Sequence, residues 1–264
     1  MSLSVGTALQ DGWITFRRTP WTFVFFALFA FVLSTVVDLL PGFPGIIVST
    51  LVDLWATVGL IRGAWLGLNG DRPSFGDLVK INSPAIWRLF SRQFLLTVLL
   101  GVISTTSAIL AVTVADAGEL AQSIYWRIQV IDPSNFEAIN RLFTEIQDLA
   151  FAVGSNPVAI LVLLIGAVIA IYIQVNQTFL GFLAVVKGLG PIPTLREGFS
   201  TVQGQWWKVF GLLTMQLVIV LLGLIAFGFG LLAAIPVVMC STASAYRQLF
   251  CADDSTGSLT VAEP

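Results

Sequence analysis

The sequence predicts an all-α, polytopic membrane helix bundle with six transmembrane helices. Three observations point there. Of 264 residues, 56% are hydrophobic and only 11% charged, with a mean hydropathy of +0.91, whereas soluble domains carry about 25% charged residues. The apolar residues fall in runs of span length, each bounded by charges or by Pro and Gly. The cations gather at alternate ends of those runs.

The runs are justified in order. Between Arg18 and Asp38, Thr19 to Val37 form nineteen uncharged residues rich in Phe, Leu and Val, and about 20 apolar residues suffice for one crossing. No polar, small-residue cleavage segment follows, so this is an uncleaved span and not a signal peptide. Pro41, Gly42, Pro44 and Gly45 make a helix-hostile turn, and a second span runs from about Ile46 to Leu68. A third extends from near Trp87 to Val114, and a fourth from after Pro157 to about Val186. From Val209 to Tyr246, thirty-eight residues pass without a charge. One helix of that length would measure about 57 Å against about 30 Å of hydrocarbon. The run must fold back. Gly228 and Gly230 supply permissive backbone near its midpoint, giving spans over about 206–226 and 230–250.

Charge sets the expected orientation. Of thirteen Lys and Arg residues, only Arg127 and Arg141 lie in the 115–157 connection, which also carries six acids. The other eleven fall on the opposite side, so the positive-inside rule predicts cytoplasmic N and C termini and an external acidic connection. Trp13, Trp21, Trp65, Trp87, Trp206 and Trp207 fall at the cytoplasmic boundary, where an amphipathic indole is best accommodated.

The chain also repeats internally. Aligning the interfacial anchors Trp21, Trp87 and Trp207 brings the acids Asp11, Asp77 and Glu197 into register ten residues upstream. The parse is a single membrane domain over 1–252 made of three units, 1–69, 70–189 and 190–252. Each is an interfacial helix followed by a transmembrane hairpin, and the middle one contains the external helical connection 115–157. The tail 253–264 is small, polar and acidic, which predicts a disordered cytoplasmic segment. The repeated acids read as helix caps. Ser74-x-x-Asp77 and Thr194-x-x-Glu197 have the capping-box form, while unit one has Ala8 at the hydroxyl position, or a shifted Thr7-x-x-Gln10. A ligand-binding role for these acids is the secondary reading.

Segment 4–18 mixes Val5, Leu9, Trp13 and Phe16 with Gln10, Asp11, Arg17 and Arg18, the make-up of a helix lying along headgroups. Arg88, Arg92, Lys208 and Arg247 are placed to snorkel into the same layer. The resulting basic collar attracts anionic lipid, at about 1 kcal/mol per cation. In the long connection, Asn135 to Val153 has helical apolar spacing, with Ser134 as cap and Glu137 three positions on. It is expected as a helix over the outer end of the bundle.

Ionisable groups within a bilayer are costly, which makes them functional candidates. Asp53 leads, with Arg62 in the same span and Gln174, Asn176 and Gln177 in span four. Ser104, Thr105, Thr106 and Ser107 cluster in span three. The amides and hydroxyls read first as interhelical packing bonds, and second as the lining of a path.

The exclusions are broad. There is no histidine, so His-based catalytic pairs and imidazole metal sites are absent. No P-loop, dinucleotide fingerprint, metal-ligand spacing or nucleophile elbow occurs. No catalytic residue, cofactor or metal is therefore expected. Cys240 and Cys251 fall on the reducing side, against a structural disulfide, and no extended basic domain is available for nucleic acid.

Several segments together resemble a largely uncharacterised family of six-span bacterial and cyanobacterial membrane proteins. They are the amphipathic N-terminus, Gly70-x-Arg72-Pro73-Ser74-Phe75-Gly76-Asp77-Leu78, Arg196-Glu197-Gly198-Phe199 with Trp207 beyond, and Ala245-Tyr246-Arg247-Gln248-Leu249-Phe250. That family is related to the membrane domain fused to some glycerophosphoryl diester phosphodiesterases. The resemblance covers roughly 4–252 and implies the six-span fold, without the hydrolase activity, since no catalytic barrel is present.

The sequence-level expectation is a non-enzymatic multipass protein of a plasma or internal bacterial membrane. It would act as an accessory, scaffold or lipid-interacting subunit, with membrane lipids, anionic headgroups included, and a protein complex as partners. A small-solute transporter or channel using Asp53 and the span-four amides is the alternative, and an enzyme acting on lipid the third.

Overall fold

The computed structural model describes residues 3–39, 42–132, 135–188, 190–226 and 228–250, and these are helical throughout their regular structure. The expected tail 253–264 and the cap Ser134 lie outside the described residues. The described residues gather into two compact units whose boundaries differ from those of the sequence repeat. One comprises the described residues of 1–95 and 175–264, the other those of 96–174.

In the first unit, α1 (Val5–Arg18) starts at Ser4, whose hydroxyl accepts from the Thr7 amide at 3.4 Å. Pro20 then opens α2 (Pro20–Asp38), a position where its missing N–H costs nothing. Next comes α3 (Phe43–Asn69), which ends at Gly70. Short α4 (Phe75–Val79) carries the expected capping box: Ser74 Oγ accepts from Asp77 N at 3.3 Å, and Ser74 N donates to Asp77 Oδ2 at 2.8 Å. The start of α5 (Ser83–Val114) also belongs to this unit.

The second unit holds the rest of α5, then α6 (Gly118–Val130), α7 (Phe136–Ser155) and most of α8 (Pro157–Asn176). Sequence periodicity anticipated α7 but not α6. The two pack on each other, joined by an Arg127–Glu145 ion pair at 2.9 Å. Asn135 caps α7, accepting from the Ala138 amide at 3.1 Å. No residue of α7 is buried. Asn156 ties the start of α8 to the end of α5 through Nδ2 to the Val114 carbonyl, 3.0 Å.

Span four was expected to continue to Val186. Instead α8 stops at Asn176, and after a turn come the single helical turn α9 (Leu180–Phe182) and a π-helical segment, Leu183–Lys187. These already belong to the first unit, where α10 (Pro191–Val202), a 3-10 turn and α11 (Trp206–Ile225) follow. The chain reverses where the two glycines predicted it. Gly228 has φ +76, a conformation that costs an L side chain, and α12 (Leu231–Phe250) returns.

Among the described residues, five helical stretches are long and apolar enough to cross a membrane: Pro20–Asp38, Pro44–Asn69, Ser83–Val114, Pro157–Asn176 and Pro191–Ile225. The sixth expected crossing forms as α12 but is not among them. Its later half carries Ser241, Thr242, Ser244, Tyr246 and Arg247. These residues lower its hydropathy, and packing accommodates them. α12 is the core of the first unit, set against α1, α2, α3 and α11 with ten of its residues buried. Protein covers its hydroxyls. The contact with α1 is very close: a Cβ at Gly12 would overlap Ser241. The docking face of α1 is thus Ala8, Gly12, Thr15 and Phe16, offset from the expected apolar face, of which Trp13 remains exposed.

Candidate functional site

The intramembrane candidates do not converge. Asp53 and Arg62 are nine residues apart on α3, two and a half turns, which places them on opposite faces about 13 Å apart along the axis. Asp53 is exposed and accepts from Ser34 Oγ at 3.0 Å. Arg62 is buried and its Nη1 donates to the carbonyls of Asp77 at 3.0 Å and Lys80 at 2.8 Å. The guanidinium therefore holds the end of α4, where carbonyls are left without helical partners.

The amides divide as well. Gln174 is exposed, within the second unit. Asn176 and Gln177 are buried at the end of α8, and Gln177 Nε2 donates to the Leu195 carbonyl of α10 at 3.0 Å. Gly198 leaves room for them, since a Cβ there would meet the Asn176 carbonyl oxygen at 2.9 Å. Gln177 thus joins the end of α8 to α10. Of the span-three hydroxyl cluster, Ser107 lies against Gly166 within the second unit.

The three acids that the sequence alignment brings into register have different partners. Asp77 caps α4 as expected. Asp11 accepts from Ser244 Oγ at 2.9 Å, joining α1 to α12. Glu197 pairs with Lys187, whose ammonium also sits 5.4 Å from the Phe250 ring centroid. The expected box at Thr194 is corrected. Pro191 stands at the head of α10, so the helix begins ahead of Thr194, at Gly190. Thr194 Oγ1 instead donates to the Gly190 carbonyl at 2.7 Å and accepts from Arg92 Nε at 2.9 Å. The shifted box Thr7-x-x-Gln10 is likewise replaced by the Ser4 cap.

Arg92 was expected to snorkel. It is 2% exposed, and its Nη1 also donates to the Arg88 carbonyl at 2.5 Å. Trp21, Trp87 and Trp207 point outward, 69%, 68% and 77% exposed, as interfacial anchors require. Trp65 is buried, with the Arg247 guanidinium carbon 5.5 Å from its ring centroid. Gln216, in the apolar middle of α11, donates to Thr242 Oγ1 at 2.9 Å. Its only sequence cue was being a lone amide in an uncharged run.

Two concavities accompany these joints. One of about 450 Å³ is polar, with Asp11, Arg18, Ser244, Arg247 and Gln248 in its wall. Arg18 Nη1 is engaged there with the Gly67 carbonyl at 3.1 Å. The other, about 760 Å³, is an apolar groove formed by α2, α3, the end of α4 and the start of α5. Among the described residues no three Cys, Asp or Glu side chains gather in a metal-binding arrangement. Comparisons with family models, curated proteins and solved structures returned no match.

Proposed function

We propose that this multipass protein is a non-enzymatic accessory or scaffold subunit that interacts with lipid, with both termini cytoplasmic. The observation that carries the reading is the use of its buried polar groups. Arg62, Arg92, Gln177 and Gln216 each spend donors on a carbonyl or hydroxyl of a neighbouring element. Such bonds fix helix geometry. Asp53, the leading candidate for a transport path, stands on an exposed face away from them, which weighs for the accessory reading over the carrier. The outward tryptophans and the basic boundary residues support lipid contact. The threefold repeat and the kinship with the phosphodiesterase-linked membrane domain belong to the same proposal, on the strength of the motifs quoted above.

Affinity purification of the tagged chain in mild detergent tests it. A stoichiometric partner is the expected result. Solute flux in proteoliposomes that is abolished by Asp53→Asn would overturn the reading in favour of a transporter. Cysteines placed beside Trp87 and Trp207 should label from the same side of the membrane, and opposite labelling would reverse the proposed topology.

A further inference from the structure

The apolar groove has the form of a site for one lipid. Leu33, Leu51, Val52, Trp55, Ile81 and Trp87 are among its walls, and two of these walls, α2 and α3, belong to stretches able to cross a membrane. Hydrocarbon is thus the medium that reaches it. The volume of about 760 Å³ lies within the ordinary range of ligand sites, about 300–1,000 Å³.

One end of the groove is rigidly built. Trp55 Nε1 donates to the Val79 carbonyl at 3.0 Å. Its ring lies 5.3 Å from that of Phe26 and 6.1 Å from that of Phe29, and Phe29 meets Phe75 at 5.9 Å. These contacts hold α4 on the α2–α3 pair. At the same end the chain passes through Lys80, which is not itself part of the wall but links two lining residues, Val79 and Ile81. Its backbone carbonyl is fixed by buried Arg62, while the residue itself is exposed. The nearby carboxylate of Asp77 is occupied by the Ser74 amide and hydroxyl. Trp87, outward-facing, marks this end as the interfacial one.

From the apolar walls, the fixed aromatic end and the exposed lysine, we infer that the groove binds an anionic phospholipid, one acyl chain between α2 and α3 and the phosphate at Lys80. The inference rests on the lipid-interacting reading and adds a place and a headgroup class to it. Aliphatic and aromatic side chains bury the methylenes, a gain proportional to apolar area. Lys80 supplies the preference for negative over zwitterionic lipid.

The full chain is placed in phosphatidylcholine nanodiscs containing a photoactivatable acyl-chain phosphatidylglycerol or the matching phosphatidylcholine, and the adducts are mapped by mass spectrometry. The glycerol probe is expected to label 48–55 and 81–87 about fivefold more than the choline probe, the equivalent of about 1 kcal/mol for one lysine. Lys80→Gln, at an exposed position, should bring the two probes to parity with the melting temperature kept. Val52→Trp should reduce both. Equal labelling by the two probes in the parent, adducts spread evenly over all apolar helices, or crosslinks between two copies through the groove would overturn the inference. None of these outcomes bears on partner capture, so the accessory reading stands or falls separately.

Discussion

Gly12→Ala tests whether α12 is the core of the first unit. A Cβ at this position would meet Ser241 N at 2.6 Å and Ser241 Cα at 2.7 Å, against about 3.5–4.0 Å for comfortable contact. Both are backbone atoms, so the two helices must part by roughly an ångström to reach that distance. Overpacking of this kind costs about 1–3 kcal/mol, while the change gains about 0.5–1 kcal/mol in helix propensity. The balance is a loss of about 1–2 kcal/mol, a melting temperature lower by roughly 2–8 °C for a chain of this size. Gly6→Ala in the same helix meets nothing within 4 Å and should leave melting unchanged or raise it. Cys240, fully buried on α12, provides the reporter: in a Cys251→Ser background, a thiol-reactive dye lights up as the detergent-solubilised protein unfolds. A Gly12→Ala variant that melts with or above the parent would refute the close docking of α1 on α12.

Three further outcomes are expected. Arg62→Met leaves the carbonyls of Asp77 and Lys80 without their donor and should cost about 1.5–3 kcal/mol, with faster hydrogen exchange confined to α4 and the following loop. Gln216→Leu removes the two Nε2 bonds to α12, to Thr242 Oγ1 and the Val238 carbonyl, and should cost about 0.6 kcal/mol for each, a loss of a few degrees by the same dye assay. A double-mutant cycle on Arg127 and Glu145 should give a coupling below about 1 kcal/mol, fading with added salt, because the arginine side chain is 44% exposed.

The apolar runs were legible because a bilayer leaves the backbone little choice but helix, and the span edges fell within a few residues of expectation. The end of span four did not: the helix stops at Asn176, where Asn176, Gln177 and Thr178 interrupt the apolar run, although apolar residues resume beyond them to Val186. α12 reads as a crossing on its lack of charge, and its hydroxyls mark it as a helix covered by protein and not one facing lipid. The separation of Asp53 from Arg62 was available in their spacing, half a turn out of phase. The fates of Asp11 and Glu197 were not, because an alignment compares positions and not partners: Ser244 comes from the far end of the chain, while Lys187 lies on the π-helical segment just before α10.

The polarity of α12 bears on biogenesis. A segment with this many hydroxyls gains little from partitioning alone into hydrocarbon, and ribosomes deliver it only after α1, α2, α3 and α11 have emerged. Its stable insertion is therefore a docking event, guided by partners already waiting in the membrane. Until it arrives, those partners lack the element they close around, and the nascent protein is at its most vulnerable to membrane quality control.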